Sequence, residues 1–262
     1  NYMRQYVKEN KESKTAFEKF LSSQGIRFVK SDANFLLAFF GKAHKFVSTS
    51  LAQKNILVKD RSNDPLLDGF VRITIGDKKK NKKLVLELKK ILSQPLLAFD
   101  MDGVLVDVSE SYRQAIKKTT EFFSSEDISL EEIQQWKNKT GINNDWELTK
   151  TILNARNQQI EYSKIIEKFQ EFYLGKNFGG LIKNEKLLID MELLERLSKN
   201  FCLAIFTGRP KKETEFSLDF FGIKKYFSEL ICMENLPADK QKPDPLGLEI
   251  IKANTNFKKG FY

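Results

Sequence analysis

A single histidine, His44, stands among the 262 residues. That scarcity sets aside histidine-rich metal centres and triads built on an imidazole base, so chemistry must rest on carboxylates, lysine, arginine, serine or threonine. Cysteine is almost as rare: Cys202 and Cys232 each fall in an apolar segment and are expected as buried, reduced thiols. No run approaches the roughly 18 consecutive apolar residues that a bilayer span requires. No basic stretch followed by an apolar one opens the chain. The expectation is therefore a cytoplasmic protein with no membrane partner.

Positive charge is in excess, with a formal net charge of +9. The densest basic run is Lys78, Lys79, Lys80, Lys82 and Lys83. No aromatic side chains interleave with these lysines to stack on bases. The run opens a helix whose apolar positions are Leu84, Leu86, Leu88 and Ile91, so it reads as a solvated helix face, and no nucleic acid is expected as a partner. A hydrophobic content of 41% suits a packed core, and the length admits one large domain or two ordinary ones. Asn1 is no initiator, and Gly260-Phe261-Tyr262 reads as a strand just beginning. The chain is thus expected to be a piece of a longer polypeptide that lacks both ends.

Residues 1–93 read as an α+β unit. Tyr6, Phe17, Phe20 and Leu21 can share one face of an opening helix that Gly25 ends. Phe35–Phe40 is expected as a buried strand, Ala43–Gln53 as a helix and Ile56–Val58 as a short strand. Asp68-Gly69 supplies a turn before the alternating strand Phe70–Ile75. From Pro95 onward strands and helices alternate. Leu96–Phe99 and Leu203–Phe206 are wholly apolar, as strands of a parallel sheet covered on both faces would be, and Glu229–Met233 reads as a third. Helices at 192–198 and 213–220 fall between them as crossovers. The fold class expected for residues 94–262 is a doubly wound α/β domain. Its core would be 94–110 and 191–262, with a helical cap at 111–190 whose helices cover 112–123, 130–137, 146–155 and 165–173. Gly179-Gly180 lies near the return from cap to core, as a loop turn or a hinge.

Asp100 and Asp102, followed by Gly103, come directly after the first apolar strand. That places two carboxylates at the carboxyl end of a sheet strand, where α/β sites form. Phosphoryl transfer through an aspartyl-phosphate needs a carboxylate nucleophile, a second group to protonate the departing oxygen, and a divalent cation to offset repulsion. Thr207-Gly208 ends the second strand with a hydroxyl where a phosphoryl oxygen could be held. Lys242-Pro243-Asp244-Pro245 follows the third strand, and a lysine there can neutralise both phosphate and nucleophile. Arg209 could hold a phosphate or a substrate carboxylate, or simply start a helix at the surface.

The sequence Asp100-Met101-Asp102-Gly103-Val104-Leu105-Val106-Asp107, with Thr207 and Lys242-Pro243-Asp244-Pro245, resembles the first three motifs of the haloacid dehalogenase superfamily. The cap position is similar to that of the phosphoglycolate phosphatase and β-phosphoglucomutase branch. The resemblance implies Asp100 as nucleophile, Asp102 as acid/base, and Thr207 and Lys242 as binding the phosphoryl group of a small phosphorylated metabolite; Gly208 and Arg209 beside them are candidate substrate-binding residues from the residues themselves. It also implies Mg²⁺ held by the Asp100 carboxylate and the Asp102 backbone carbonyl. The fourth motif, an acidic pair, should follow Tyr262, so the 262 residues alone are expected to bind Mg²⁺ poorly and turn over little. A phosphomutase would use the same Asp100 and Asp102, and a noncatalytic module retaining the fold is the alternative from outside enzymology.

Residues 1–93 carry a second resemblance. Ser31-Asp32-Ala33-Asn34-Phe35, Asn55–Asp60 and Leu67–Gly76 are similar to the carboxyl-terminal small domain of histidinol-phosphate aminotransferases. By that likeness Arg72 grips the carboxylate of an amino acid or 2-oxo acid, while Lys59 stands where many relatives carry Arg. The pyridoxal phosphate pocket with its Schiff-base lysine would precede Asn1, so these 262 residues are not expected to hold that cofactor. A homodimer is possible for the full-length protein.

Overall fold

The computed structural model describes residues 2–142, 144–255, 257 and 259–262. The chain forms two compact units, one made of 1–100, 191–214 and 222–262, the other of 101–190 and 215–221. The first opens with helix α1, Tyr2–Ser23, followed by strands β1, Phe28–Val29, and β2, Phe35–Phe39. Helix α2, His44–Ala52, leads to β3, Lys59–Asp60, and β4, Phe70–Thr74, before α3, Lys78–Ser93. The four strands make an antiparallel sheet in the order β1-β2-β4-β3.

Three expectations for this region are corrected. Tyr6 is 45% exposed although Phe17, Phe20 and Leu21 are buried. A 22-residue helix spans about 33 Å, and only its later turns, at Phe17, Phe20 and Leu21, reach the apolar cluster. Ile56–Val58 is not a strand. Asn55 takes a left-handed φ of 57° and Ile56 N–H donates back to Leu51 O, so these residues serve the exit from α2 and leave Leu57 87% exposed. Pairing with β4 begins only at Lys59, opposite Arg72. In α3 the Asp77 carboxylate caps the helix by accepting from Lys80 N–H at 2.8 Å, and Leu84, Leu88 and Ile91 are buried. Leu86 is 53% exposed, because a position two residues from both Leu84 and Leu88 points to the opposite side of a 3.6-residue helix.

Strand β5, Leu96–Phe99, starts the second sheet of this unit. Between it and the return of the chain at residue 191 lie β6, Val106–Asp107, α4, Tyr112–Ser124, α5, Leu130–Thr140, α6, Asp145–Ala155, α7, Tyr162–Tyr173, and β7, Lys186–Leu187. Then come α8, Met191–Asn200, β8, Cys202–Phe206, α9, Lys211–Phe220, β9, Phe227–Ile231, α10, Leu246–Thr255, and β10, Gly260–Phe261. The sheet order is β10-β5-β8-β9 and every pairing is parallel, as the wholly apolar strands require. The third strand ends two residues earlier than expected. Cys232 N–H donates to Asn235 Oδ1 at 2.8 Å, which turns the chain into a 3-10 segment at 233–235. Both cysteines are buried and neither forms a disulfide, and burial pushes the Cys202 thiol up to about 12. Side chains from the two sheets join one apolar cluster, with the Phe46 ring 5.9 Å from that of Phe257.

The second unit carries the four helices α4 to α7, at the places their periodicity predicts. Ser129 caps α5 by accepting from Glu132 N–H, Asn144 caps α6, and Gly141 leaves α5 in the left-handed region. Ile116, Ile133, Leu148, Ile152 and Phe169 form the core, and the rings of Tyr112 and Tyr173 stack at 4.3 Å. Glu185 is buried among them and accepts from Ser111 Oγ at 3.2 Å, Tyr173 OH at 2.8 Å and Ser217 Oγ at 2.9 Å. Removing a buried acceptor strands its donors. Glu185→Ala is therefore expected to destabilise this unit by about 2–4 kcal/mol, with Glu185→Gln losing less. Urea unfolding followed by tryptophan emission reads this, since both Trp136 and Trp146 lie in the unit; a loss under about 0.5 kcal/mol would refute it. Among the described residues no helix is long and apolar enough to cross a membrane.

Candidate active site

The parallel register explains why the motif residues meet. Phe99 of β5 lies opposite Ile205 of β8, and Phe206 opposite Ile231 of β9. The three strands therefore end on one edge, and Asp100 and Thr207 are the first residues past it. The chain then turns tightly: the Met101 carbonyl accepts from Leu105 and Val106 N–H, both at 2.9 Å, and Gly103 N–H donates to Val106 O at 2.8 Å. Gly103 holds φ at 76°, with nothing within 4 Å of where a Cβ would sit. Backbone conformation, not crowding, demands glycine there.

Lys242 reaches this edge from the segment after β9, and its Nζ lies 2.8 Å from Asp100 Oδ1. The Lys242-Pro243 bond is cis. Asp244 fixes the start of α10 by accepting from Leu246 N–H at 2.9 Å, and that amide, with Lys240 beside it, holds the Asp244 carboxyl below the usual carboxylate range. Lys242 is thus no free surface cation, although its side chain is 23% exposed and that of Asp100 35%. The ammonium nitrogen itself is buried, and the exposure lies on the stem of Lys242 and on the Asp100 side chain.

Thr207 is buried. Its hydroxyl accepts from Arg209 N–H at 3.1 Å and its own N–H donates to Ile231 O at 2.9 Å. The hydroxyl hydrogen still has a direction to choose, so the strand-end cap and a phosphoryl contact are compatible. Gly208 is exposed, with nothing within 4 Å of a built Cβ, which leaves open space beside Thr207. Arg209 is 2% exposed, and this overturns the option of a surface arginine merely starting α9. Asp102 follows Asp100 by two residues and forms an isolated bridge with Val106. Arg72 lies in the antiparallel sheet, its guanidinium carbon 5.4 Å from the centre of the Phe35 ring and its backbone paired with Leu37 and Lys59.

Sequence reasoning missed the surroundings of Lys242. Its Nζ stands 4.8 Å from the centre of the Phe206 ring and 5.0 Å from that of Tyr262. Gly247 backs Phe206 so closely that a Cβ would lie 2.3 Å from a ring carbon. A glycine inside a helix right after Pro245 was the available signal, since a helix interior gives glycine no conformational reason to be there. Among the described residues no group of three or more His, Cys, Asp or Glu side chains converges as a metal cluster. The aspartate oxygens suit Mg²⁺, which keeps several waters and takes one or two carboxylates.

A parallel sheet with Asp100 and Lys242 paired at its carboxyl edge defines a doubly wound α/β protein with an acid-and-cation site. The sequence profile of haloacid dehalogenase-like hydrolases matches residues 97–260, and the chain belongs to that family. It is 35% identical over 161 residues to an imidazoleglycerol-phosphate dehydratase of Phytophthora nicotianae, a match covering 59% of this chain and 35% of that protein. It is 30% identical over 166 residues to a phosphoglycolate phosphatase of Pasteurella multocida, covering 58% and 68%. A histidinol-phosphate aminotransferase of Christiangramia forsetii is 43% identical over 65 residues, covering 25% and 18%. The chain therefore spans about a third of the first of these relatives and less than a fifth of the last. Among solved structures, phosphatase Tt82 from Thermococcus thioreducens superposes with a TM-score of 0.50 at 28% identity, covering 60% of this chain and 79% of that one.

Proposed function

We propose that residues 94–262, with cap 111–190, are the Mg²⁺-dependent phosphomonoesterase part of a larger protein, and that Asp100 is its nucleophile. One observation carries the reading: Lys242 Nζ lies 2.8 Å from Asp100 Oδ1 at the carboxyl edge of the parallel sheet. An Asp100 oxygen attacks phosphorus, the P–O bond to the alcohol breaks, and Asp102 gives its proton to the departing oxygen. Asp102 then takes a proton from water, whose oxygen attacks the aspartyl-phosphate, releasing inorganic phosphate and restoring Asp100. Lys242, Thr207 and the loop at Gly208-Arg209 receive the phosphoryl oxygens. Mg²⁺, held by the Asp100 carboxylate and the Asp102 backbone carbonyl, would offset charge between nucleophile and phosphate.

Residues 1–93 are proposed as the small domain of an aminotransferase, with Arg72 gripping a substrate carboxylate through its planar fork. Pyridoxal phosphate would serve that activity from outside these residues. Both the aminotransferase and the dehydratase relative are named for phosphate esters, which supports histidinol phosphate as the substrate to try first. The test is a screen of phosphomonoesters with Mg²⁺ on the full-length polypeptide. Histidinol phosphate is expected to give the highest kcat/KM, and Asp100→Asn to silence every ester. A preference for 2-phosphoglycolate by tenfold or more, about 1.4 kcal/mol, would reject the substrate assignment while leaving the chemistry standing.

A further inference from the structure

A lysine that must serve both a nucleophilic carboxylate and an incoming phosphate faces a positional problem. Its four-carbon stem is flexible, and an ammonium free to swing can pair with either partner in many geometries. Here the Lys242 ammonium has two aromatic rings near it, with centres 4.8 Å away for Phe206 and 5.0 Å for Tyr262. The two rings also contact each other, 5.7 Å apart at 43°. Both distances lie within the range where a ring face attracts a cation.

We infer that Phe206 and Tyr262 form an aromatic clamp that positions the Lys242 ammonium against Asp100, and that Gly247 sets the clamp by admitting the Phe206 ring. This rests on the phosphoryl-transfer reading above. A ring face suits the task better than a second carboxylate. It attracts the cation without accepting its N–H donors, so the donors stay available for Asp100 Oδ1 and a phosphoryl oxygen. Gly247 lies within α10, where an added Cβ would stand 2.3 Å from Phe206 Cε2 and 2.7 Å from Cδ2. Any side chain there moves the ring. Phe206 is buried at the end of β8, whereas Tyr262 directly follows β10, so the two rings come from different strands of the sheet.

The experiment measures kcat and KM for p-nitrophenyl phosphate on the full-length polypeptide and its Tyr262→Leu, Tyr262→Phe and Gly247→Ala variants. Tyr262→Leu removes the ring and is expected to lower kcat about three- to tenfold with KM changed less than about twofold. Tyr262→Phe keeps the ring face and is expected to stay within about twofold of the parent. Gly247→Ala should fall at least as far as Tyr262→Leu and also melt earlier, because its Cβ would overlap the buried Phe206 ring, so the Tyr262 pair of variants decides between clamp and fold. If Tyr262→Leu keeps its full kcat, or Tyr262→Phe falls as far as Tyr262→Leu, the clamp is wrong while the phosphatase stands. If the parent protein itself shows no turnover that Asp100→Asn removes, the phosphoryl-transfer reading fails and the clamp goes with it.

Discussion

Asp100→Asn is expected to lower phosphomonoester turnover by at least about a thousandfold while leaving the fold intact. An amide oxygen is a poor nucleophile toward phosphorus, and loss of a covalent nucleophile removes the two-step route rather than slowing one step of it. The fold should survive because Asp100 sits at a strand tip with a third of its side chain exposed, and its pairing with Lys242 is of the partly solvated kind worth at most about 1 kcal/mol. Two measurements together decide the matter. Steady-state hydrolysis should vanish, and circular dichroism melting should move by no more than a few degrees. Trapping labelled phosphate on the parent protein by acid quench should place it at Asp100, and label found elsewhere would end the assignment.

The parallel sheet was readable because two of its strands, β5 and β8, are wholly apolar, and the cap helices because their 3.6-residue period survives in a strongly charged chain. Elements made by backbone pairing alone escaped. The two-residue strands β6 and β7, Val106–Asp107 and Lys186–Leu187, lie 80 positions apart and carry no periodicity. The Ile56–Val58 misreading has the same origin, since apolar and β-branched residues mark a strand only if a partner edge is in register. At the site, Asp100 and Lys242 were legible as motif residues after strand ends, but their 2.8 Å contact was not, because it depends on where residues 232–245 carry the chain. The three hydroxyls on Glu185 come from residues 111, 173 and 217, and a pattern read along the sequence offers no reason to connect them. Arg209 shows the limit in the other direction: a lone arginine before a helix looks solvent-facing, and only packing reveals that it is buried.

Lys242→Met should separate charge from shape at the same edge. Methionine keeps most of the apolar stem and removes only the ammonium, so packing around it is largely retained. What is lost is the cation that lies 2.8 Å from Asp100 Oδ1. A carboxylate nucleophile and a phosphate dianion then approach with less compensation, and loss of a preorganised charge at such a point costs about 10²–10³ in rate. The expected result is a fall of that size in kcat/KM with the urea midpoint nearly unchanged, because a partly exposed ion pair contributes little to folding. Lys242→Arg is the sharper companion. It preserves the charge but replaces a compact ammonium with a planar fork that must fit beside two rings whose centres lie 4.8 and 5.0 Å from the lysine nitrogen. Activity between that of the parent and Lys242→Met is expected if position matters as well as charge. Full activity in Lys242→Arg would mean that charge alone suffices, and activity within tenfold of the parent in Lys242→Met would remove Lys242 from the chemistry.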